Sequence, residues 1–546
     1  MDNQRVLLYA ALGFILLILW QNWQIQSNPQ LAQGPVQTES TAAPGGQDNG
    51  AVPGVVGESL PGSPAGGAVQ PAGQKIRVET DLLIAEIDSR GGTVTHVALK
   101  DYPVSVDQPD VPFVLMSDQP AHFFVAQSGL QSSAGNAPTH QAMFTAESES
   151  YVLNDGQTEL RVPLTWQGED GVTVTKTIVF KRDSYIINVE QQLENGSDAP
   201  LIVNQYRQLQ RKQVTDDETQ SFIYTYIGGV VSTPTELYTK VDFGDFEERD
   251  LSQTVEGGWV AIMQHYFVGA VIPESGQTNT FYTKALNAPK RYIIGMYSDS
   301  QTVNAGASAN FVSEFFVGPK DQERLEAAAT NLNLTVDFGW LTVLANPIFW
   351  LLKKIHGFVG NWGWSIIILT LLIKVLFYKL SEASYKSMAR MRKLQPKMQS
   401  LKEKYGDDRQ KIGEATMKLY KEEKVNPLGG CLPMLVQIPV FIALYWVLLE
   451  SVELRQAPWI LWIQDMSIRD PYFILPVIMG ITMFIQQKLN PAPIDPIQQK
   501  MFMFLPLVFT VFFAFFPAGL VLYWVVNNTL SILQQWYITR HVIGTD

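Results

Sequence analysis

Cysteine is nearly absent from this 546-residue chain, in which Cys431 stands alone. One cysteine excludes a disulfide framework and a cysteine-rich zinc site, because each needs at least a pair. Charged residues are also scarce at 17%, against about 25% in an average soluble domain. Hydrophobic residues make up 46% of the chain. The composition excludes a wholly disordered chain, a coiled coil and a collagen, and it predicts a soluble part joined to a membrane part.

Negative charge dominates the chain as a whole, but one segment is strongly basic. The net charge is −12, whereas residues 379–424 contain thirteen basic and seven acidic side chains, a local charge of +6. Basic loops of membrane proteins remain in the cytoplasm. The two pools of charge are therefore predicted to face different compartments.

The N-terminal region contains an apolar run followed by a polar, flexible stretch. Residues 6–20 carry no charge, and Trp20 and Trp23 are typical of a membrane interface. We interpret residues 1–26 as an uncleaved transmembrane anchor with a cytoplasmic N-terminus; a cleaved signal peptide is the alternative. Residues 27–74 are rich in Gly, Pro, Gln, Ala and Ser, which predicts a flexible linker.

Residues 75–331 have the pattern of a large β-domain. In the run GVTVTKTIVF at 171–180, apolar residues recur at every second position, and YIINV at 185–189 behaves similarly after a turn. Many short strands separated by turns predict a large antiparallel β-sandwich. The four histidines of this block lack the spacing of metal ligands, so we predict no metal site, and we find no catalytic site and no cofactor motif.

The rest of the chain is strongly apolar. Residues 332–360 contain Pro347 and two adjacent lysines, which predicts an amphipathic helix lying in the membrane interface. Residues 361–546 contain five runs near the length of a membrane span, at 362–378, 428–449, 471–489, 501–516 and 519–538. The basic segment between the first two predicts a cytoplasmic loop, and the acidic connection 450–470 an external one. With the anchor, the prediction is six spans, both termini in the cytoplasm and the β-domain outside.

Lys374 is the one ionisable residue well inside these apolar runs, which otherwise lack Asp, Glu and His in their interiors. That absence argues against a carboxylate proton relay and an intramembrane protease. Lys374 either snorkels to the headgroups or lines a hydrated cavity. Thr370 lies one turn earlier on the same face, and other spans offer polar residues that would form the walls, namely Gln437, Asn527, Asn528 and Ser531.

The basic segment is also patterned as a helical hairpin, over residues 381–426. Apolar residues recur at three- and four-residue spacing, and a turn at 406–408 separates two helical stretches. One interpretation is that the apolar faces pack together with the charges in solvent. The other is a docking surface for an apolar peptide, the ribosome or a targeting factor, formed by Arg390, Arg392, Lys393, Lys397, Met391 and Met398.

Three motifs carry a resemblance to a known family. They are NPLGGCLPMLVQIPVF at 426–441, SVELRQAP at 451–458 and FPAGLVLYW at 516–524. They closely resemble the YidC membrane protein insertases. The arrangement of an anchor, a β-domain, an interfacial helix and a five-span core resembles the Gram-negative form, whose core is shared with mitochondrial and chloroplast insertases.

The resemblance implies a hydrophilic groove that is open to the cytoplasm and the lipid but closed outside. Lys374 occupies the position of the groove cation, commonly Arg in this family, and Trp524 occupies an aromatic groove position. The substrate groove is thus assigned to Lys374, Thr370, Gln437, Trp524 and Asn528, and a hydrophobic slide to Pro439, Phe441 and Phe512. The short C-terminal tail after Trp536 contains a single Arg or Lys, Arg540. It therefore departs from relatives that have a long basic tail.

The expected function is insertion of nascent inner-membrane proteins, alone or with the Sec translocon. The resemblance implies the lipid bilayer, the ribosome or components of the signal recognition pathway as further partners, with ribosomal RNA as the sole nucleic acid. It implies an inner-membrane location with the β-domain in the periplasm, and no enzymatic activity. A secondary transporter that uses Lys374 as a counter-ion, and a sugar-binding β-domain, are the alternatives.

Overall fold

The structure is a computed structural model that describes residues 73–133, 135–212, 225–287, 289–406, 408–423, 425, 432–490 and 496–542. These residues fall into two compact units, one ending at Asp337 and the other beginning at Phe338. The predicted anchor and all but the last two residues of the predicted linker lie outside the described residues, as does the start of the motif at 426–441.

The first unit is built from β-strands. Its strands β1–β20 are Lys75–Glu79, Leu83–Asp88, Thr93–Ser105, Gln108–Met116, Phe124–Ser132, Thr145–Ala146, Ser150–Val152, Glu159–Gln167, Val172–Lys181, Ile186–Asn195, Leu201–Lys212, Gly228–Ser232, Thr239–Val241, Ser252–Glu256, Trp259–Met263, Phe267–Pro273, Thr278–Asn287, Lys290–Ser298, Gln301–Val303 and Ser308–Pro319. Two short helices, α1 (Phe243–Glu248) and α2 (Gln322–Ala328), accompany them.

The strands form two sheets. The first has 11 strands in the order β14-β17-β18-β11-β5-β3-β2-β1-β7, with β19 paired to β11 and β4 to β3. The second has nine, in the order β13-β12-β15-β16-β20-β10-β9-β8-β6. The pairs are antiparallel except β1 with β7, which is parallel. Hydrogen bonds from Lys176 to Gly91 and Ser128 join one sheet to the other, so the inner faces pack together.

The alternation of β9 explains its burial. Val172, Val174, Ile178 and Phe180 are at most 1% exposed, because every second side chain of a strand points to the same face. Strand β10 pairs with β9 in antiparallel register and places Ile187, again buried, opposite Phe180. The large β-sandwich predicted from the sequence is confirmed.

The second unit is helical. Its helices are α3 (Thr342–Val359), α4 (Trp362–Leu376), α5 (Tyr378–Tyr405), α6 (Arg409–Glu422), α7 (Leu432–Glu450), α8 (Ile474–Leu489), α9 (Pro496–Phe513) and α10 (Ala518–Tyr537). Within the part of the chain that the structure describes, no single helix is both long enough and apolar enough to cross a bilayer. The pair α4 and α5 passes that test jointly and is bent by 66° at its junction. The predicted number of spans stays a prediction.

Helix α3, in the segment predicted to lie in the interface, has one face buried and one exposed. Ala345, Phe349 and Leu352 are buried, whereas Trp350 and Phe358 are exposed by 62% and 91%. A helix with large apolar side chains on its open face is typical of contact with lipid. Its orientation in a membrane stays a prediction.

Helices α5 and α6 occupy the segment in which the sequence predicts a cytoplasmic hairpin, and α5 begins at Tyr378. The cytoplasmic hairpin stays a prediction. Leu394, Met398 and Val425 form its buried centre, against which Met391, Leu419 and Tyr420 pack. Asp408 caps α6, since its side chain accepts a hydrogen bond from the Lys411 backbone. The apolar stripe in the sequence is therefore used to hold the hairpin together.

Candidate functional site

Lys374, near the end of α4, is bonded to helix α10. Its Nζ donates to the Ser531 hydroxyl at 2.7 Å, and that hydroxyl donates to the Asn527 backbone carbonyl at 2.7 Å. Asn527 and Ser531 are four residues apart and so share one face of α10. The ammonium is thus held at a defined position, by a contact between residues 157 apart in the sequence.

Gln437 brings a third helix to the same place. Its amide Nε2 donates to Asn527 Oδ1 at 2.6 Å, which ties α7 to α10. Asn527 therefore contacts Gln437 with its side chain and Ser531 with its carbonyl. Lys374, Gln437 and Asn527 are half-buried, while Ser531 is buried. We name these four residues the polar cluster.

Thr370 and Asn528 lie outside this cluster, although the sequence groups them with it. The Thr370 hydroxyl is 1% exposed and donates to the Ile366 carbonyl of its own helix at 2.6 Å. Asn528 is buried and donates to the Thr482 hydroxyl of α8 at 3.4 Å. Thr370 thus bonds to the backbone of its own helix and Asn528 to a neighbouring helix, as isolated polar residues in helical bundles commonly do.

Trp524 lies in a row of aromatic rings. Its ring centroid is 4.7 Å from that of Phe441 and 5.6 Å from that of Phe513. Its indole Nε1 is buried and has no hydrogen-bond partner within the described structure. The indole therefore has one donor to offer to a ligand.

Two of the residues assigned to the hydrophobic slide, Phe441 and Phe512, are connected through this row. The ring of Trp524 contacts both Phe441 and Phe513, and the ring centroids of Phe512 and Phe513 are 5.4 Å apart. Phe512 is 52% exposed, whereas Pro439 is half-buried within α7. An apolar surface thus runs from α7 to α9 beside the polar cluster.

The connection between α7 and α8 packs over the helix ends that are far from Lys374. Asn361, which caps α4, donates to the carbonyls of Pro458 and Trp459 at 3.1 and 3.2 Å. The backbone of Ala518, at the start of α10, donates to Ile468 at 2.7 Å. Lys374 lies near the last turn of α4. The helical unit is therefore covered at the end opposite the polar cluster.

Three residues of this region were missed by the sequence analysis. Tyr385 of α5 donates to the Ser531 carbonyl at 3.4 Å, Thr482 accepts from Asn528, and the ring of Phe513 lies tilted against that of Trp524. A tyrosine eleven residues after Lys374 carries no spacing signal, because a bend separates the two helices. The partners of Asn528 and Trp524 depend on which helices are neighbours, which sequence periodicity does not reveal.

The residues assigned to a docking surface divide into two groups. Met391 and Met398 pack inside the hairpin, where the Tyr420 hydroxyl contacts the Met398 sulfur at 3.4 Å. Lys397 pairs with Glu423 at 2.5 Å. Arg390, Arg392 and Lys393 are exposed. Among the residues assigned to the docking surface, the exposed ones are therefore cations, and the two methionines contribute to the packing of the helices.

Comparison with known proteins gives consistent matches over nearly the whole chain. A family model described as the YidC periplasmic domain matches residues 75–351, and one described as the 60Kd inner membrane protein matches residues 354–545. The chain is 53% identical over 564 residues to the membrane protein insertase YidC of Thioalkalivibrio sulfidiphilus, and 52% identical over 553 residues to that of Methylococcus capsulatus. Each alignment covers 99% of both chains. A crystal structure of an active YidC insertase covers 85% of this chain and 92% of its own, at 18% identity and a TM-score of 0.38.

Proposed function

The chain belongs to the YidC family of membrane protein insertases, and on that premise we propose how its polar cluster and its aromatic row act in insertion. It is an inner-membrane insertase with a periplasmic domain, its substrates are nascent membrane proteins, and its family is not one of enzymes. The matched relatives are insertases, which argues against the alternative of a secondary transporter that uses Lys374 as a counter-ion.

We propose that the chain crosses the membrane six times, with both termini in the cytoplasm. The basic hairpin at α5 and α6 supports a cytoplasmic position for the adjacent ends of α4 and α7. Lys374 and Gln437 are near those ends, so the polar cluster would be reached from the cytoplasm. The covered end of the helical unit would then face the periplasm.

The polar cluster would receive the polar tail of a substrate. A tail entering the groove exchanges its hydration for hydrogen bonds to Lys374, Gln437 and Asn527, which lowers the cost of bringing polar groups to membrane depth. An acidic tail gains most, because the ammonium is the one charge in the cluster. The 2.7 Å hydrogen bond that fixes Lys374 to Ser531 is the observation that carries this proposal.

The apolar segment of the substrate would leave along the aromatic row. Phe441, Trp524 and Phe512 form a surface that joins the polar cluster to the exposed side of α9. Transfer of about 20 apolar residues into lipid supplies tens of kcal/mol gross, at roughly 25 cal/mol per Å². Insertion by this route needs no nucleotide.

The exposed cations of the hairpin, Arg390, Arg392 and Lys393, would contact the ribosome or components of the signal recognition pathway. Electrostatic attraction to an anionic surface such as ribosomal RNA fits their charge. The Sec translocon would hand over the remaining substrates. Loss of hairpin charge should reduce targeting while insertion of already delivered substrate is retained.

The test is protease protection of a single-span client with an acidic tail, in cells depleted of their own insertase and supplied with a variant of this chain. Lys374→Leu should leave the tail unprotected, and Lys374→Arg should restore protection because charge is retained. Lys379→Leu is the matched control, since Lys379 lies five residues away and is 90% exposed in its ion pair with Glu382.

A client with a neutral tail separates charge from folding. It should still insert with Lys374→Leu, because no carboxylate has to be attracted. Full protection of the acidic client by Lys374→Leu, at matched expression, would show that Lys374 merely snorkels. The insertase activity itself would then rest on the apolar row.

A further inference from the structure

The β-domain contains a cleft that the proposed insertion mechanism does not use. Its volume is about 480 Å³, within the range of roughly 300–1,000 Å³ that is typical of small-molecule sites. Arg90, in the turn between β2 and β3 of the first sheet, forms one side, and Trp166, the penultimate residue of β8 in the second sheet, forms another. Residues 135–143, from the loop between β5 and β6, complete the wall. The cleft therefore lies where the two sheets and one loop meet.

Arg90 gives the cleft a cation. It is half-buried, and within the described residues its guanidinium makes neither a hydrogen bond nor an ion pair. Its backbone N–H is used, because it donates to Asp88 Oδ1 at 2.8 Å. No Asp or Glu belongs to the described lining of the cleft. A guanidinium carries its donors in a planar fork that matches a carboxylate, so Arg90 is suited to bind one from outside the chain.

Trp166 adds an aromatic ring and a second donor. It shares a face of β8 with Val162 and Leu164, which are buried, but near the end of the strand it is only half-buried. In the part of the chain that the structure describes, its indole N–H has no hydrogen-bond partner. Ala137 and Met143 supply further apolar surface. A ligand that fits must offer acceptors to two donors and an apolar face to the ring.

The loop that forms one wall is held at both ends. Asn136 Nδ2 donates to Asp170 Oδ2 at 2.6 Å, and the Gly91 N–H donates to the Ala142 carbonyl at 2.7 Å. Gly91 has a φ of +74°, and a Cβ atom there would lie 2.2 Å from the His140 carbonyl oxygen. The turn and the loop can therefore approach this closely because residue 91 is glycine. A wall that is ordered before binding lowers the entropy cost of binding.

The electrostatic environment and the donors narrow the class of ligand. Burial first, and then the charges of Lys176 and Arg90, lower the pKa of His140 on the buried side of the loop to about 4. Positive charge at this wall favours an anion. The C–H face of a pyranose ring packs on an indole, and the oxygens of the same ring accept hydrogen bonds. An acidic peptide side chain would satisfy Arg90 but would bring no further acceptor to Trp166.

We propose that this cleft binds a small anionic sugar of the uronic acid class, with its carboxylate on Arg90 and the face of its ring on Trp166. Thr139 and Gln141, which also line the cleft, contact the hydroxyl groups of the sugar. The site lies wholly within the β-domain, so it does not rest on the proposed insertion mechanism. It gives this domain a soluble ligand in addition to the membrane substrates of the helical unit.

The test is a saturation-transfer NMR titration of the full-length protein in nanodiscs with glucuronate and galacturonate. Glucose, which lacks the carboxylate, and acetate, which lacks the ring, are the control ligands. At least one uronate should bind saturably, with strong transfer to the C–H groups of its ring. Both controls should bind about tenfold more weakly or worse, because a hydrogen bond to a charged group contributes at least that much to affinity.

Variants decide whether binding occurs in this cleft. Arg90→Gln removes no hydrogen bond or ion pair that the structure describes, so the domain should fold, and uronate binding should weaken about tenfold or more while that of glucose is unchanged. Trp166→Ala should abolish transfer to the ring of the sugar. Arg161→Gln makes the same change as Arg90→Gln at an exposed position of β8, and it should leave uronate binding as in the wild type.

Three results would overturn the proposal. The first is the absence of saturable binding of both uronates. The second is uronate binding that is equal to that of acetate or unchanged in Arg90→Gln. The third is binding of an acidic peptide that depends on Arg90 when neither uronate binds, since this would assign the cleft to a peptide.

Discussion

The imidazole of His140 is buried in the β-sandwich beside the Tyr206 hydroxyl. His140 Nδ1 lies 2.6 Å from that oxygen, which also accepts the His140 backbone N–H at 2.8 Å. A neutral imidazole can accept the Tyr206 proton at Nδ1, whereas a protonated imidazole has no acceptor nitrogen. Desolvation, with the charges of Lys176 and Arg90 adding to it, lowers the pKa of His140 from 6.5 to about 4.

This shift makes the β-domain less stable as the pH falls. A base whose pKa is lower in the folded than in the unfolded state contributes stability above the unfolded value, and that contribution is lost as the pH falls toward the folded value. Below pH 6.5 the loss is about 1.4 kcal/mol per pH unit until the pH approaches 4. Between pH 7.5 and 5 it amounts to about 2 kcal/mol, or roughly a thirtyfold increase in the open population.

The assay is amide hydrogen exchange of β5 and β11 in the full-length protein, at the two pH values and corrected for intrinsic rates. His140→Asn should lower stability at both pH values but reduce its pH dependence by about 2 kcal/mol. His122→Asn, at an exposed position of the same domain, should leave the pH dependence unchanged. If the pH dependence of His140→Asn matched that of the wild type, the imidazole would already titrate normally and the burial argument would be wrong.

Two further predictions concern the helical unit. Asn361→Ala removes the cap of α4 and the two hydrogen bonds to the 450–470 connection, and should destabilise that end of the helix by about 1–2 kcal/mol. Asn361→Asp should keep the cap and lose only the hydrogen bonds to Pro458 and Trp459. Hydrogen exchange of the Trp364 amide distinguishes the two variants, and equal protection in both would contradict the role of the cap. Leu394→Ala, in the buried centre of the hairpin, should cost about 2–4 kcal/mol and raise exchange throughout α5 and α6, whereas Arg392→Ala should have little effect; similar exchange in both variants would mean that the hairpin helices do not pack.

Strand β9 illustrates what the sequence predicts and what it leaves out. The period of two at Val172, Val174, Ile178 and Phe180 is sufficient to predict a half-buried strand, because burial of one face requires that alternation. Lys176 occupies the same face, between Val174 and Ile178. Alternation alone predicts that Lys176 is buried, but it does not explain why a lysine stands at a buried position. The reason depends on Ser128 of β5 and on Gly91 between β2 and β3, whose carbonyls accept hydrogen bonds from the Lys176 ammonium.

The polar cluster had a similar limit. The four-residue spacing of Thr370 and Lys374 is a property of one helix and can be read from the sequence. The bond from Lys374 to Ser531 joins helices 157 residues apart, so it depends on which helices become neighbours. Thr370 shows this limit. It shares a face with Lys374, but its hydroxyl donates to a carbonyl of its own helix.

The pairing within the polar cluster bears on how an insertase of this kind selects its clients. A polar tail that enters must replace the Gln437–Asn527 and Lys374–Ser531 hydrogen bonds, so each new bond is an exchange whose net value is about 1 kcal/mol or less. Exchange of neutral hydrogen bonds hardly distinguishes one tail from another. A carboxylate on Lys374 replaces a neutral partner by a charged one, which is the stronger bond. On the proposed mechanism, therefore, the charge of the tail decides how readily it enters, and the apolar segment decides whether it stays.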